Sequence, residues 1–288
     1  DNIRDNLKVY PLSRAENPPA MEFINVSGEE INTILPTDYT FFERINEVVQ
    51  KEPQGFLDVE VLGMLRSIGI VKGQPFDPDA RMKEILTDAA AIAEATARSV
   101  TYYPRYPGTY AWRDTEGTWV VPFADHDSSW IEAGARKIEC QLYYHYNCIV
   151  VTPAMAAAPG PGKGSEYVFA SLDSDKRILE GSRNYEMTLP ANVPVADFWA
   201  ITLYDTQTRS QLQTDQQFPT LDTYTEGLQA NDDGSYTIHY GPQAPAGKES
   251  NWLQTIPGKS FFVCLRMYGP TEPWIEGRWR PSDVELVG

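Results

Sequence analysis

Apolar positions recur at two different periods along this chain, and the change falls near residue 164. From Phe41 to Lys51, the apolar residues Phe41, Phe42, Ile45, Val48 and Val49 oppose the charged residues Glu43, Arg44, Glu47 and Lys51, the spacing of a one-sided helix. Thr37 or Asp38 caps it and Pro53 stops it. A shorter helix is predicted over Val61, Leu62, Leu65 and Ile68, with Gly69 placed to end it. Asp77-Pro78-Asp79 marks a third start, an Asp cap followed by proline at the first helical position, where its missing N–H costs little. That helix runs from Pro78 to about Val100 and buries Met82, Ile85, Leu86, Ala89, Ile92, Ala93 and Thr96. Ser128 or Ser129 caps a fourth, in which Trp130, Ile138, Leu142, Tyr146 and Ile149 keep a helical period, although Ile149-Val150-Val151 reads equally well as strand.

Beyond Glu166 the period becomes two, in short runs bounded by turn residues. Tyr167–Leu172, Tyr185–Leu189, Phe198–Tyr204, Tyr236–Tyr240 and Phe261–Tyr268 are the predicted strands, and Asn231-Asp232-Asp233-Gly234 is a reversal whose glycine supplies a positive φ. Runs of helices followed by runs of strands define an α+β chain, here a helical subdomain followed by an antiparallel jelly-roll β-sandwich. Three segments are expected: an extended proline-bearing arm over 1–36, a helical subdomain and linker over 37–163, and the sandwich over 164–288. Tyr102 to Phe123 reads as a long aromatic loop with a short strand at Trp119-Val121, and loops of that length are often functional.

Composition narrows the function. An apolar fraction of 42% over 288 residues is enough for a packed core, and a net charge of −16 disfavours a nucleic-acid backbone or an anionic membrane surface as partner. No apolar run is long enough to span a membrane. Cys140, Cys148 and Cys264 have neither the number nor the spacing of a disulfide framework or zinc site, and read as buried small hydrophobes. Asp1 to Tyr10 reads as a charged lead into a strand, with no initiator Met and no leader, as though the chain began partway through something longer. A missing N-terminal domain or another subunit is therefore an expected partner, and homo-oligomerisation an open alternative.

Several motifs in fixed order carry a resemblance: Gly164-Ser165-Glu166-Tyr167, Asp197-Phe198-Trp199, Leu203-Tyr204-Asp205, Gly241 to Trp252, and Arg266 to Pro270. Together they resemble the paired domains of unknown function 1254 and 1214, the second over roughly Gly164 to Glu285. The residues before it resemble the helical insert between the two, and Leu7 to Leu12 resembles the end of the first. The resemblance implies a C-terminal jelly roll, distantly like those of peptide N-glycanases, and an exported protein, periplasmic or secreted. It implies no established reaction.

Candidate chemistry starts with Asp173, Asp175 and Glu180, backed by Asn184, on the turn after Tyr167–Leu172. Carboxylates two apart on a loop are oxygen ligands of the kind Ca²⁺ or Mg²⁺ takes, and the same three could serve a hydrolase of glycan or amide bonds as catalytic acid, base or metal ligands. Asp-Ser-Asp is equally good turn chemistry. In Asp125-His126-Asp127 a carboxylate beside a histidine suits acid–base work, but on extended backbone the two aspartates share a face that His126 leaves. A zinc site would need His126, His145 and His239 together. Trp112, Trp119, Trp130 and Tyr106, with Asp125, His126 and Arg183, could line a cleft for a small or carbohydrate-like ligand between helices and sandwich. The alternative is that these rings cover the interface itself. Arg183, Arg209, Arg266 and Arg278 read as structural ion pairs, and Asn251-Trp252 as an anchor for a strand end. Gly160 to Ser165 fails as a phosphate loop because Gly164 stands where Ser or Thr is needed, and no nucleophile elbow occurs.

Overall fold

Among the described residues only one of the four longer helices carries a side-chain cap at its N-cap residue, so apolar patterning more than capping places them. The computed structural model describes residues 5–30, 32, 34–114, 117–148 and 153–288. In it α1 spans Thr40–Lys51, α2 Val59–Ser67 and α3 Ala80–Tyr102. The Asp38 carboxylate accepts the Thr40 N–H at 2.9 Å just ahead of α1. After α2, Gly69 takes φ +92° and the Ile70 N–H returns to the Leu65 carbonyl, a left-handed helix end that glycine makes without strain. The third helix starts later than predicted. Asp79, not Asp77, is its cap, accepting the Met82 N–H at 2.8 Å, so Pro78 precedes the cap. Its buried residues are Leu86, Ala90, Ala97, Thr101 and Tyr102, while Ile92 is 66% exposed. The small alanines face inward because another helix approaches there.

That neighbour is α4, Ile138–Asn147, and it corrects the fourth predicted helix. Ile131–Glu132 (β1) and Ala135–Arg136 (β2) form a hairpin through Ala133-Gly134, both at positive φ, so Trp130 lies outside any helix. Ile138, expected inside, is 70% exposed, and α4 instead buries Cys140, Tyr143, Tyr144 and Tyr146. Ile149-Val150-Val151 lies outside the described residues. A single turn, α5 (Pro153–Ala156), follows.

Eight strands build the sandwich: β3 Ser165–Ala170, β4 Asn184–Leu189, β5 Val195–Asp205, β6 Thr220–Asp222, β7 Tyr236–Gly241, β8 Trp252–Gln254, β9 Phe261–Pro270 and β10 Glu285–Val287. A short helix, α6 (Glu272–Ile275), follows β9. The sheets run β3-β9-β5-β6 and β10-β4-β7-β8. All neighbours are antiparallel except β7 and β8, which pair in parallel, a departure from the expected all-antiparallel sheets. Inward residues of both sheets, among them Ile201, Leu203, Val263, Leu265, Tyr185 and Ile238, make one core with Trp119. The predicted strand at Trp119-Val121 is a single residue bridged on both sides: Val120 exchanges both backbone hydrogen bonds with Phe169 on the outer edge of β3 and pairs antiparallel with Tyr110 on its other side.

Asn251 fixes the parallel pairing. Its amide donates to the Gln229 and Thr237 carbonyls at 2.8 and 3.0 Å and accepts the Gln229 N–H at 2.9 Å. Trp252 adds an indole bond to the Gly241 carbonyl at 3.0 Å. The strand-end anchor read from Asn251-Trp252 is thus present.

Two compact units divide the chain, Asp1–Leu35 and Pro36–Gly288. The first holds a 3-10 turn at Leu12–Arg14, and its described residues are exposed apart from a half-buried Met21. The second contains helices and sandwich together. Inside it, the Tyr102 hydroxyl at the end of α3 donates to the Thr206 carbonyl after β5 at 2.6 Å.

Candidate functional site

Strand β9 is buried on both faces, and its alternation decides what each face offers. Phe261, Val263, Leu265 and Met267 enter the sandwich core. Phe262, Cys264, Arg266 and Tyr268 therefore point to the outer face of the β3-β9-β5-β6 sheet. Register sets Arg266 opposite Tyr167 of β3 and Ala200 of β5, and Tyr204 opposite Phe262. Helix α4 and the residues from Met155 to Pro159 stand over this face and leave a cavity of about 750 Å³. Phe123, Met155, Phe169 and Phe262 give it apolar walls.

Its polar groups are few. The Arg266 guanidinium lies 5.7 Å from the Tyr167 ring and 5.8 Å from the Tyr204 ring, and donates to the Tyr204 hydroxyl. Its Nε is buried with no acceptor, and among the described residues no carboxylate pairs with it. Cys264 cannot neutralise it, because burial pushes that thiol up to about 12. Burial likewise pushes Cys148 up to about 11, so both cavity thiols stay protonated near neutrality. Asn147, at the end of α4, turns a buried Oδ1 toward no donor. Arg209, over the Tyr146 ring at 4.4 Å, is a second cation in the wall. Among the described residues no Asp or Glu lines the cavity.

A second cavity of about 290 Å³ opens at the mouth of the sandwich. Glu166 alternates with Val168 and Ala170 and so faces inward on edge strand β3, where it lines this mouth with Trp112, His126 and Arg280. Burial pushes the Glu166 carboxyl up to about 7. Since the folded state then holds a proton that the unfolded chain releases at ordinary Glu pH, stability falls as pH rises from about 4.5 to about 7 and stays lower above. Glu166→Gln should remove that loss, giving a chain roughly 1–3 kcal/mol more stable than the parent at pH 8 and little changed at pH 4.5, read by urea unfolding at both pH values.

The sequence-predicted site residues scatter. Trp119 is core, its indole donating to the Ser282 carbonyl at 2.9 Å. Trp130 is buried against Tyr144 at 5.6 Å. Trp112 lines the mouth cavity, edge-on to Trp274 at 5.7 Å. Asp125 accepts from Tyr106 at 2.6 Å, from Lys137 at 3.0 Å and from Arg113. Burial alone would raise its carboxyl, but these donors hold it down at about 2. Asp125 and His126 both sit at positive φ, and any side chain at Gly108 would collide with Asp125 and Tyr106. His126 lines the mouth cavity, on a 3-10 turn and not on the extended backbone that the sequence suggested. Arg183 is exposed on a turn and lines neither cavity.

Asp173, Asp175 and Glu180 do not converge. Asp173 is 1% exposed and closes a turn by accepting the Arg177 N–H at 2.9 Å, whereas Asp175 is exposed and 3.5 Å from the Arg177 guanidinium. Glu180 accepts the Ser182 and Gly258 N–H groups. Among the described residues no group of three His, Cys, Asp or Glu is arranged to hold a metal ion. Asp173→Ala is expected to lower stability by about 1–3 kcal/mol, because the Arg177 N–H loses its buried acceptor, while Asp175→Ala stays within about 0.5 kcal/mol in the same denaturant titration.

The molecule is thus an α+β chain whose helical part roofs the outer face of one sheet of a sandwich. Residues 164–272, from just before β3 to the start of α6, match the family described as Protein of unknown function (DUF1214). No curated protein matches the chain. Among solved structures, a crystal structure of a Vibrio parahaemolyticus protein is similar at 18% identity and TM-score 0.42, over 94% of this chain and 59% of that one. An uncharacterized protein from Burkholderia cenocepacia is similar at 12% identity and TM-score 0.34, over 85% of this chain and 47% of that one. This chain spans less than two thirds of either.

Among the described residues no helix is long and apolar enough to cross a membrane.

Proposed function

We propose that this protein binds a small amphipathic anion, a carboxylate or sulfonate on an apolar body, in the cavity between α4 and the outer face of the β3-β9-β5-β6 sheet. The observation that carries the reading is the buried Nε of Arg266, a cationic donor without an acceptor. An unpaired cation in a largely apolar cavity is costly, and a ligand oxyanion beside the Arg266 guanidinium, which lines the cavity, would pair with it through charge-assisted bonds. The walls agree: the chain carries 40 acidic residues, yet among the described residues none borders the cavity, and Arg209 adds positive charge. A neutral sugar would leave the two arginines unneutralised, so the charge of the site favours an anion over a carbohydrate. Phe123, Met155, Phe169 and Phe262 would take the apolar body, and the volume suits a molecule of drug-like size.

Calorimetric titration with naphthalene-1-sulfonate and with its neutral counterpart, 1-naphthol, tests this. The sulfonate should bind at least about tenfold more tightly, the return on one charge-assisted hydrogen bond. Equal affinities would sink the reading.

A further inference from the structure

A narrow space of about 20 Å³ lies between the two cavities and shares its lining with both. His126 and Glu166 belong to it and to the mouth cavity; Phe123, Met155, Ser165 and Tyr167 belong to it and to the larger cavity. Three successive residues of β3 therefore wrap one edge of the sheet, with Ser165 and Tyr167 turned to the ligand cavity and Glu166 to the mouth. The space holds about one water. Among the described residues Glu166 is the one acid on this passage, and no cation pairs with it.

We propose that Glu166 makes anion binding in the larger cavity proton-linked: the ligand binds when Glu166 is a neutral acid and loses affinity when it ionises. This rests on the anion reading above. The mouth cavity gives the buried carboxyl its route to solvent protons, and burial already keeps it neutral to higher pH than an ordinary glutamate. A second negative charge inside the same low-dielectric region raises its cost further, so ligand binding takes up a proton, and the coupling is reciprocal. The other charges facing Glu166 are spoken for. Arg113 pairs with Asp125, Arg280 with Asp114 at 2.9 Å, and Glu276 with Arg278 at 2.5 Å. His126 also lines the passage, so it needs its own control.

The experiment is the dissociation constant of naphthalene-1-sulfonate, whose own charge is fixed, measured from pH 5.5 to 8.5 in the parent chain, Glu166→Gln and His126→Gln. In the parent, affinity should fall about tenfold across neutrality, with net proton uptake seen as a buffer-dependent binding enthalpy. Glu166→Gln should bind at pH 8.5 as tightly as the parent does at pH 5.5, with a flat profile. His126→Gln should keep the parent profile. A flat parent profile, or a slope that survives Glu166→Gln and vanishes in His126→Gln, overturns the proton link while leaving the anion site standing. Absence of naphthalene-1-sulfonate binding at every pH overturns the anion site itself.

Discussion

Arg266→Met is expected to weaken naphthalene-1-sulfonate binding by about a hundredfold, the largest effect of any single side chain on function. The methionine preserves the aliphatic stem between Tyr167 and Tyr204, so cavity shape changes little, but the charge and the orphaned Nε donor are gone. Hydrogen bonds to charged groups contribute about 1.5–3 kcal/mol, and in an otherwise apolar enclosure the upper end applies. Arg266→Lys should recover only part of the loss, since a lysine keeps the charge without the planar fork that reaches Tyr204 and a ligand together. Calorimetry on the three proteins measures this, with thermal unfolding as the control for folding. A methionine variant binding within about threefold of the parent would mean that the cation serves the sheet alone.

Asn251→Ala is expected to have the largest effect on stability, about 3–5 kcal/mol. The side chain is 4% exposed and holds three backbone groups, two of them at Gln229 and one at Thr237. Alanine leaves all three buried and unmade, at roughly 1–3 kcal/mol each, with partial relief as the loop relaxes. The unfolding midpoint should fall by about 10 °C, at about 2–4 °C per kcal/mol for a chain of this size class. Asn251→Asp separates the donors from the acceptor: it keeps the bond from the Gln229 N–H and loses both amide donations, so it should destabilise as well. A shift below about 3 °C in both variants would show that water replaces the amide and that the parallel pairing of β7 and β8 stands without it.

The strands were legible because each has one face in the core, and alternation records that directly: Tyr185, Met187 and Leu189 are buried in turn, as are Val168 and Ala170. Asn251 was legible as an anchor for a related reason, since a polar residue beside tryptophan in a strand run has to be satisfied locally. The failures came where two neighbouring signals compete. Trp130 and Ile138 sit at a helical interval, but Ala133-Gly134 reverses the chain between them, and the turn wins because a glycine at positive φ costs nothing there and helix nucleation does. The three-residue strands β6, β8 and β10 carry too little pattern to be seen. The site was half legible. Arg266 was singled out within a motif, yet read as half of an ion pair, because which face of β9 it occupies follows only from the register with β3 and β5, and that no acid lines the cavity beside it only from the fold. The tryptophans drew attention as ligand surfaces by residue type, while the indole of Trp119 is already bonded inside the core.

The borders of the two sheets bear on how copies of this chain meet. Three of the four outermost strands, β6, β8 and β10, have three residues each, and the fourth, β3, has its Phe169 backbone groups already bonded to Val120. A foreign strand would find no long row of open N–H and C=O groups to continue, which is how natural sandwiches avoid edge-to-edge growth into aggregates. Association along the borders of these two sheets would then have to proceed through side chains, leaving their ladders intact.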